Sequence, residues 1–351
     1  MIKIKIGKRI ISEKDEPLIV AEIGINHFGS LALAKKIVIA AKKSGVEAIK
    51  VQIHIPEEEM SEEAKKIKPG NSNKSIFKVI KENCLSLNDE SKLKKYIENK
   101  KLIYIATPFS YKAAKWLNDQ KVKIFKIGSG ECNNIPFVEY VSKFKKPMIV
   151  STGMNSIKSV SKTVQILKKR KIPHALLHCV NLYPTEYKHI RLKRFKILKR
   201  KFKYSIIGYS DHSIGNDIPV AALGLGAKIV EKHFVISKKK KGPDIICSMD
   251  QTELKNLIIS SKRIHASFGS TVDILKEENV TRRFAFHSVV SKKEIKKNEK
   301  LSKHNLTTKR PGFGDYPASR IKNLFGKKAK NLIVNNTLIK KKDIIWKKKF
   351  Y

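Results

Sequence analysis

The sequence predicts a closed (β/α)8 barrel of the TIM class followed by a small, mostly β domain. Eight short apolar runs alternate with helix-patterned segments between residues 18 and 267, close to the ~250 residues such a barrel occupies. No Gly-x-Gly-x-x-Gly follows the first run, which disfavours the alternative, an open doubly wound sheet.

Taken in order, residues 1–17 begin MIKIKIGKRII, alternating charge with isoleucine. That pattern reads as a hairpin and not as a signal peptide. Barrel strands are expected at 18–23, 48–54, 102–107, 124–129, 147–151, 175–179, 206–210 and 227–233. Helices are expected between them, among others at 31–44, 110–120, 157–170 and 251–267, and Asn216 is placed to cap the helix after the seventh strand. The polar stretch 57–74 reads as a loop or lid. The barrel domain is therefore expected over 18–270, a polar linker over 271–283, and the second domain over 284–351. There Pro311-Gly312 and Gly314-Asp315 supply turn chemistry. A domain of that size has a marginal core of its own and is expected to pack on the barrel or on a partner chain.

The chain of 351 residues holds 75 Lys+Arg against 31 Asp+Glu, a formal charge of +44. Nucleic-acid binding is the first idea such a charge brings. The lysines, however, are spread over nearly every helix-patterned segment instead of gathering beside aromatics. An enzyme for an acidic substrate, with incidental polyanion binding, fits that spread better. Cys84, Cys132, Cys179 and Cys247 show no paired or Cys-x-x-Cys spacing, which disfavours disulfides and structural zinc and suits the cytoplasm. No apolar run approaches the ~20 residues of a membrane span.

In a barrel of this class the chemistry gathers at the carboxyl ends of the strands. Those ends read Glu22; Lys50 and Gln52; Thr107 and Phe109; Lys126, Ser129 and Glu131; Ser151; Asn181 and Tyr183; Ser210 and His212; Glu231 and His233. Alone, a serine there caps a helix, a lysine is solvated, and Gly128 and Gly153 serve turns. Two such histidines are more often solvated loop residues than ligands. Together the list is different. Lys50, Lys126, Thr107, Ser129, Ser151, Asn181 and Ser210 make a donor set for phosphate or carboxylate oxygens. His212 and His233, ending neighbouring parallel strands, are placed to hold a divalent transition metal with positions left open. Glu22, Glu131 and Glu231 supply proton handling. The residues by themselves point to chemistry on a phosphorylated small molecule.

The runs VAEIGINHFGS, KVQIHI, ATPFS, KIGSGECNN, STGMNS, LLHCVNLYPT, GYSDHS, EKHF and GPDIICSM resemble the N-acetylneuraminate (sialic acid) synthase family. TTKRPGFGDY resembles that family's C-terminal SAF (antifreeze-like, β-clip) domain. The resemblance implies condensation of phosphoenolpyruvate with N-acetylmannosamine as its open-chain aldehyde, by C–O cleavage, giving N-acetylneuraminate and phosphate. It implies Mn²⁺, with Mg²⁺ or Co²⁺ as alternatives, on His212 and His233. The donor set above would bind phosphoenolpyruvate, and Glu22, Gln52, Tyr183 and Asp244 the sugar. Glu22 and Glu131 would steer water and protons, and Glu231 would order a metal-bound water. Phe284 and Arg310 would complete the sugar pocket of the opposite subunit, making a homodimer with a swapped second domain. Val51 stands where some members carry a polar residue and, next in the strand, should face away from the pocket. Other readings are a legionaminic or pseudaminic acid synthase, or a polyanion-binding protein on an inactive barrel.

Overall fold

The computed structural model describes residues 2–69, 73–239, 242–270 and 272–346. The chain divides into two compact units, Met1–Gly269 and Ser270–Tyr351. The first begins with an antiparallel hairpin, β1 (Ile4–Ile6) and β2 (Arg9–Ile11). Eight strands follow: β3 (Leu18–Glu22), β4 (Ala48–Ile53), β5 (Ile103–Pro108), β6 (Phe125–Ile127), β7 (Met148–Ser151), β8 (His174–Cys179), β9 (Ile206–Asp211) and β10 (Ile229–His233). They close as a parallel barrel in chain order, with β10 pairing back onto β3.

Helices Leu31–Lys43, Tyr111–Asp119 and Ile157–Lys169 fall where expected. Each starts behind a serine (Ser30, Ser110, Ser156) whose hydroxyl accepts from the N–H three residues on, a cap contributing about 1 kcal/mol. Asn216 differs. It occupies the cap position of helix Asp217–Gly224, but its amide donates to the Glu253 carbonyl at 2.7 Å, tying that helix to Gln251–Ser267 instead. The stretch expected as loop or lid holds a short helix, Pro56–Glu59, and a 3-10 turn, Ala64–Lys66. Proline at the first helical turn starts the former without losing a needed donor. Residues 70–72 of that stretch lie outside the described residues.

Strand alternation sorts the barrel into an outside and a lumen. Outward positions such as Ile49, Val51, Val150 and Val230 pack under the helices, so Val51 does face away from the lumen. Inward positions near the strand starts, among them Val20, Ala48, Ile105, Ile149 and Ile229, form a separate apolar cluster. Ile4, Ile6 and Ile11 of the hairpin join it and close that end. Two residues further along most strands, in the same phase, the inward positions turn polar: Glu22, Lys50, Thr107, Lys126, Ser151, Ser210 and Glu231, all buried.

The second unit holds two small antiparallel pairs, β11 (Ser288–Ser291) with β12 (Leu306–Lys309) and β13 (Lys328–Ala329) with β14 (Ile344–Ile345). Its core includes Val289, Leu306, Tyr316, Leu324 and Ile339. The segment expected as linker instead carries a helix, Asn279–Ala285, which runs on to the start of the expected second domain with Phe284 exposed on it. Arg310, directly after β12, is also exposed. Residues 347–351 of this domain lie outside the described residues.

Candidate active site

The lumen at the carboxyl ends of the strands holds four interlocked ionic groups. Lys50 Nζ lies 2.6 Å from Glu22 Oε2 and 3.5 Å from Glu231 Oε1, and donates to Thr107 Oγ1 at 3.2 Å. Lys126 Nζ and Ser210 Oγ both donate to Glu231 Oε1, at 3.1 and 3.2 Å. Burial works against charge on Lys50, yet Glu22 and Glu231 outweigh it and hold the amine above its ordinary range. Burial would raise Glu231, but Lys126 and Lys50 hold it down at about 2. Glu22 is pushed up to about 7 by burial, against the pull of Lys50. Two carboxylates in one site thus take opposite shifts, the condition for separate acid and base roles. Burial lowers Lys126 and raises Glu131 to about 7.

His212 and His233 stand side by side, ring centroids 5.6 Å apart. Tyr183 leans on His212 at 4.1 Å. Burial keeps both imidazoles neutral, at about 4 and about 3. His212 Nδ1 faces the Val180 carbonyl at 2.8 Å, so it carries the hydrogen and Nε2 keeps its lone pair. His233 Nδ1 is buried without a hydrogen-bond partner, 3.7 Å from Asp244 Oδ2, and burial raises that carboxyl. Among the described residues no group of three or more His, Cys, Asp or Glu has metal-holding geometry.

The remaining donors gather around two glycines. A Cβ on Gly153 would stand 1.8 Å from Asn181 Oδ1 and 2.8 Å from Ser129 Oγ; one on Gly128 would stand 2.3 Å from Glu131 Oε2. These glycines do more than serve turns, because any side chain would fill the space those polar groups occupy. Ser129 Oγ accepts from the Gly153 N–H at 3.1 Å, and Ser151 Oγ and Glu131 Oε2 are buried without a partner. Gln52 and Phe109 sit by His54: Gln52 Oε1 is 3.2 Å from its Nε2, and Phe109 stacks on the ring at 4.4 Å.

Further neighbours were given no site role by sequence reasoning. Cys179 ends β8 in the inward phase, 3.6 Å from Asn181 Oδ1, its thiol pushed up to about 11 by burial. The alternation that selected Lys50 would also have found it. Asp211 and Lys232 each precede a site histidine and pair on the outer side of the wall, 0% and 2% exposed. His54 and Glu59 form a second buried pair. A cavity of about 1070 Å³ lies at the opposite end of the barrel, lined by Lys8, Lys42, Lys101 and Lys123 beside the hairpin, and takes in none of the converging groups.

A (β/α)8 barrel with buried lysines and carboxylates at its strand ends, carried with a SAF domain, defines the class of protein. Residues 37–273 match the NeuB family and residues 286–345 the SAF domain. The chain belongs to the NeuB family. It is 35% identical to N,N'-diacetyllegionaminic acid synthase of Campylobacter jejuni, over 92% of this chain and 98% of that one. It is 33% identical to N-acetylneuraminate-9-phosphate synthase of Homo sapiens over 88% of each. Among solved structures, N-acetylneuraminic acid (sialic acid) synthetase from Leptospira borgpetersenii is 31% identical with a TM-score of 0.73, covering 80% of this chain and 94% of that one. No helix among the described residues is long and apolar enough to cross a membrane.

Proposed function

We propose that the protein is a phosphoenolpyruvate-dependent nonulosonic acid synthase. It joins phosphoenolpyruvate to the open-chain aldehyde of an N-acetylated hexosamine, giving a nine-carbon 2-keto acid and inorganic phosphate. One observation carries the reading: two buried lysines share two oppositely shifted carboxylates beside two neutral imidazoles, at the strand ends of a NeuB-family barrel.

Arrival of the anionic substrate lets Lys50 and Lys126 turn from Glu22 and Glu231 to its phosphate and carboxylate. Ser129, Ser151, Ser210, Thr107 and Asn181 add neutral polar contacts around it. Glu22, held near 7, carries the proton that the aldehyde oxygen takes up as the enol carbon attacks. Glu131, also near 7, takes a proton from the water adding to the resulting oxocarbenium carbon. Phosphate then leaves with the C–O bond cleaved, and the added oxygen becomes the ketone. Gln52, Tyr183 and Asp244 hold the sugar. A divalent ion, Mn²⁺ with Mg²⁺ or Co²⁺ as alternatives, fits His212 and His233, since both rings are neutral and His233 Nδ1 is buried without a partner. When bound it would supply Lewis-acid polarisation of the aldehyde. Phe284 and Arg310 complete the sugar pocket of a partner copy in a homodimer.

N-acetylmannosamine is the first acceptor on this reading. A diacetylated hexosamine is the second, favoured by the 35% identity to the legionaminic acid enzyme. Phosphate release is measured with phosphoenolpyruvate, Mn²⁺ and each sugar, using substrate labelled with ¹⁸O in the bridging position. Label recovered in phosphate supports the reading; no release with any N-acetylated hexosamine overturns it. For the shared pocket, Arg310→Ala mixed with Lys126→Met should regain activity that neither variant shows alone, and failure to regain it removes the swapped arrangement.

A further inference from the structure

We infer that Glu59 and His54 form a positioning device that fixes the amide of Gln52 and so sets recognition of the acceptor sugar; this rests on Gln52 contacting that sugar. Gln52 and His54 follow Lys50 in the inward phase at the end of β4, so one strand face delivers all three in register. The His54 ring is gripped on three sides. Its Nδ1 faces Glu59 Oε2 at 2.9 Å, its Nε2 faces Gln52 Oε1 at 3.2 Å, and its face lies parallel to Phe109 at 4.4 Å and 6°. The carboxylate oxygen of Glu59 and the amide oxygen of Gln52 both only accept, so in this arrangement both ring nitrogens carry a hydrogen and donate, one to each neighbour. The other carboxylate oxygen accepts from the Ile55 N–H at 2.6 Å, which leaves Glu59 no freedom to turn. With Oε1 held by the ring, the Gln52 NH2 is the end left for a sugar hydroxyl or carbonyl oxygen.

The helix Pro56–Glu59 explains why Glu59 stays there. Its three consecutive glutamates are divided between two tasks. Glu57 pairs outward with Lys81 at 2.9 Å and Glu58 with Lys112 at 3.1 Å, both half-exposed. Glu59 alone turns inward, its side chain and that of His54 each 6% exposed. Outer ion pairs of this kind add little stability; the Ile55 N–H bond to Glu59 is what holds the third carboxylate at the imidazole. Shielding a buried His–Glu pair from water costs desolvation that a purely structural loop anchor has no need to incur.

The test is steady-state kinetics of the full-length protein with both substrates, with Glu58→Gln as control. His54→Ala should raise KM for the sugar at least tenfold and blur discrimination between the sugar and its epimer, with KM for phosphoenolpyruvate within twofold of wild type. Glu59→Ala should shift KM for the sugar the same way, His54→Gln should regain most of the loss, and Glu58→Gln should change nothing. Equal shifts of both KM values with a lowered melting temperature would mean a structural anchor only and overturn the inference while leaving the synthase reading intact. Wild-type protein that turns over no N-acetylated hexosamine would remove both.

Discussion

Two buried ionic clusters share the β9–β10 edge of the barrel, and they differ in how their hydrogen-bonding capacity is used. On the outer side, Asp211 Oδ1 accepts from Tyr209 and Ser213, each at 2.9 Å, while Oδ2 accepts from Ser213 and Lys232, and Lys232 also donates to the Ser213 carbonyl. Every strong site on that pair is taken. On the lumen side, His233 Nδ1, one residue on along β10, and Glu22 Oε1, Ser151 Oγ and Glu131 Oε2 from other strand ends are buried with no hydrogen-bond partner. Leaving such atoms unpaired costs about 1–3 kcal/mol each, a cost that a bound substrate would relieve on the proposed function. The satisfied cluster lies in the wall, beside the two strand ends that carry His212 and His233, and the unsatisfied one lies among the lumen groups to which the proposed function gives the chemistry.

Parallel substitutions separate the two. Lys126→Met should lower kcat/KM by about 10²–10³, the scale of losing one preorganised electrostatic contact, with a smaller effect on denaturant midpoint than on activity because Glu231 keeps Lys50 and Ser210. Lys232→Met should do the reverse. It strands Asp211 in the wall, a loss of about 3–5 kcal/mol, read as a shift in denaturation midpoint that a double variant with Asp211→Asn partly recovers. A stable but inactive Lys232→Met protein would break the comparison. Glu131→Gln comes next in size, lowering kcat by about 10²-fold. Burial raises Glu131 and Glu22 each to about 7, and the proposed roles need Glu131 ionised and Glu22 protonated. The kcat/KM of the wild type should therefore be bell-shaped around about pH 7, its rising limb from Glu131 and its falling limb from Glu22. The Glu131→Gln profile should lack that rising limb.

Much of this was legible in the sequence because a parallel barrel obeys a period of two. Once eight apolar runs are placed, the phase that puts Val20 and Ala48 inside also puts Glu22 and Lys50 inside. Strand ends could be read as a site for that reason alone, and the histidine pair with them. What escaped was whatever depends on contacts between elements. Nothing in EEE distinguishes Glu59 from Glu57 and Glu58; the difference arises when helices Ile76–Asn83 and Tyr111–Asp119 present Lys81 and Lys112 to the other two. Asp211 reads as one more polar strand end; its pairing with Lys232 of the neighbouring strand appears only in the structure. Asn216 sits where a cap belongs, yet a carbonyl from another helix competes for its amide.

Glu90 provides the sharpest check on the comparison, because it is unsatisfied without lying in the lumen. It is 2% exposed on helix Leu87–Asn99, its Oε2 has no partner, and burial raises its carboxyl to about 8. The group is held protonated in the folded chain at pH values where the unfolded chain has released the proton. Stability should therefore fall as pH rises from 4.5 through about 8, by about 1.4 kcal/mol per pH unit from this residue, and level off above. Glu90→Gln should flatten that slope, raise stability at pH 8 and leave kcat/KM unchanged. If it instead abolished turnover, an orphaned polar atom would mark function wherever it is buried, and position at the strand ends would lose its meaning. If it left both slope and activity unchanged, Glu90 would have found a partner in solution, and lack of a partner would be the weaker half of the criterion.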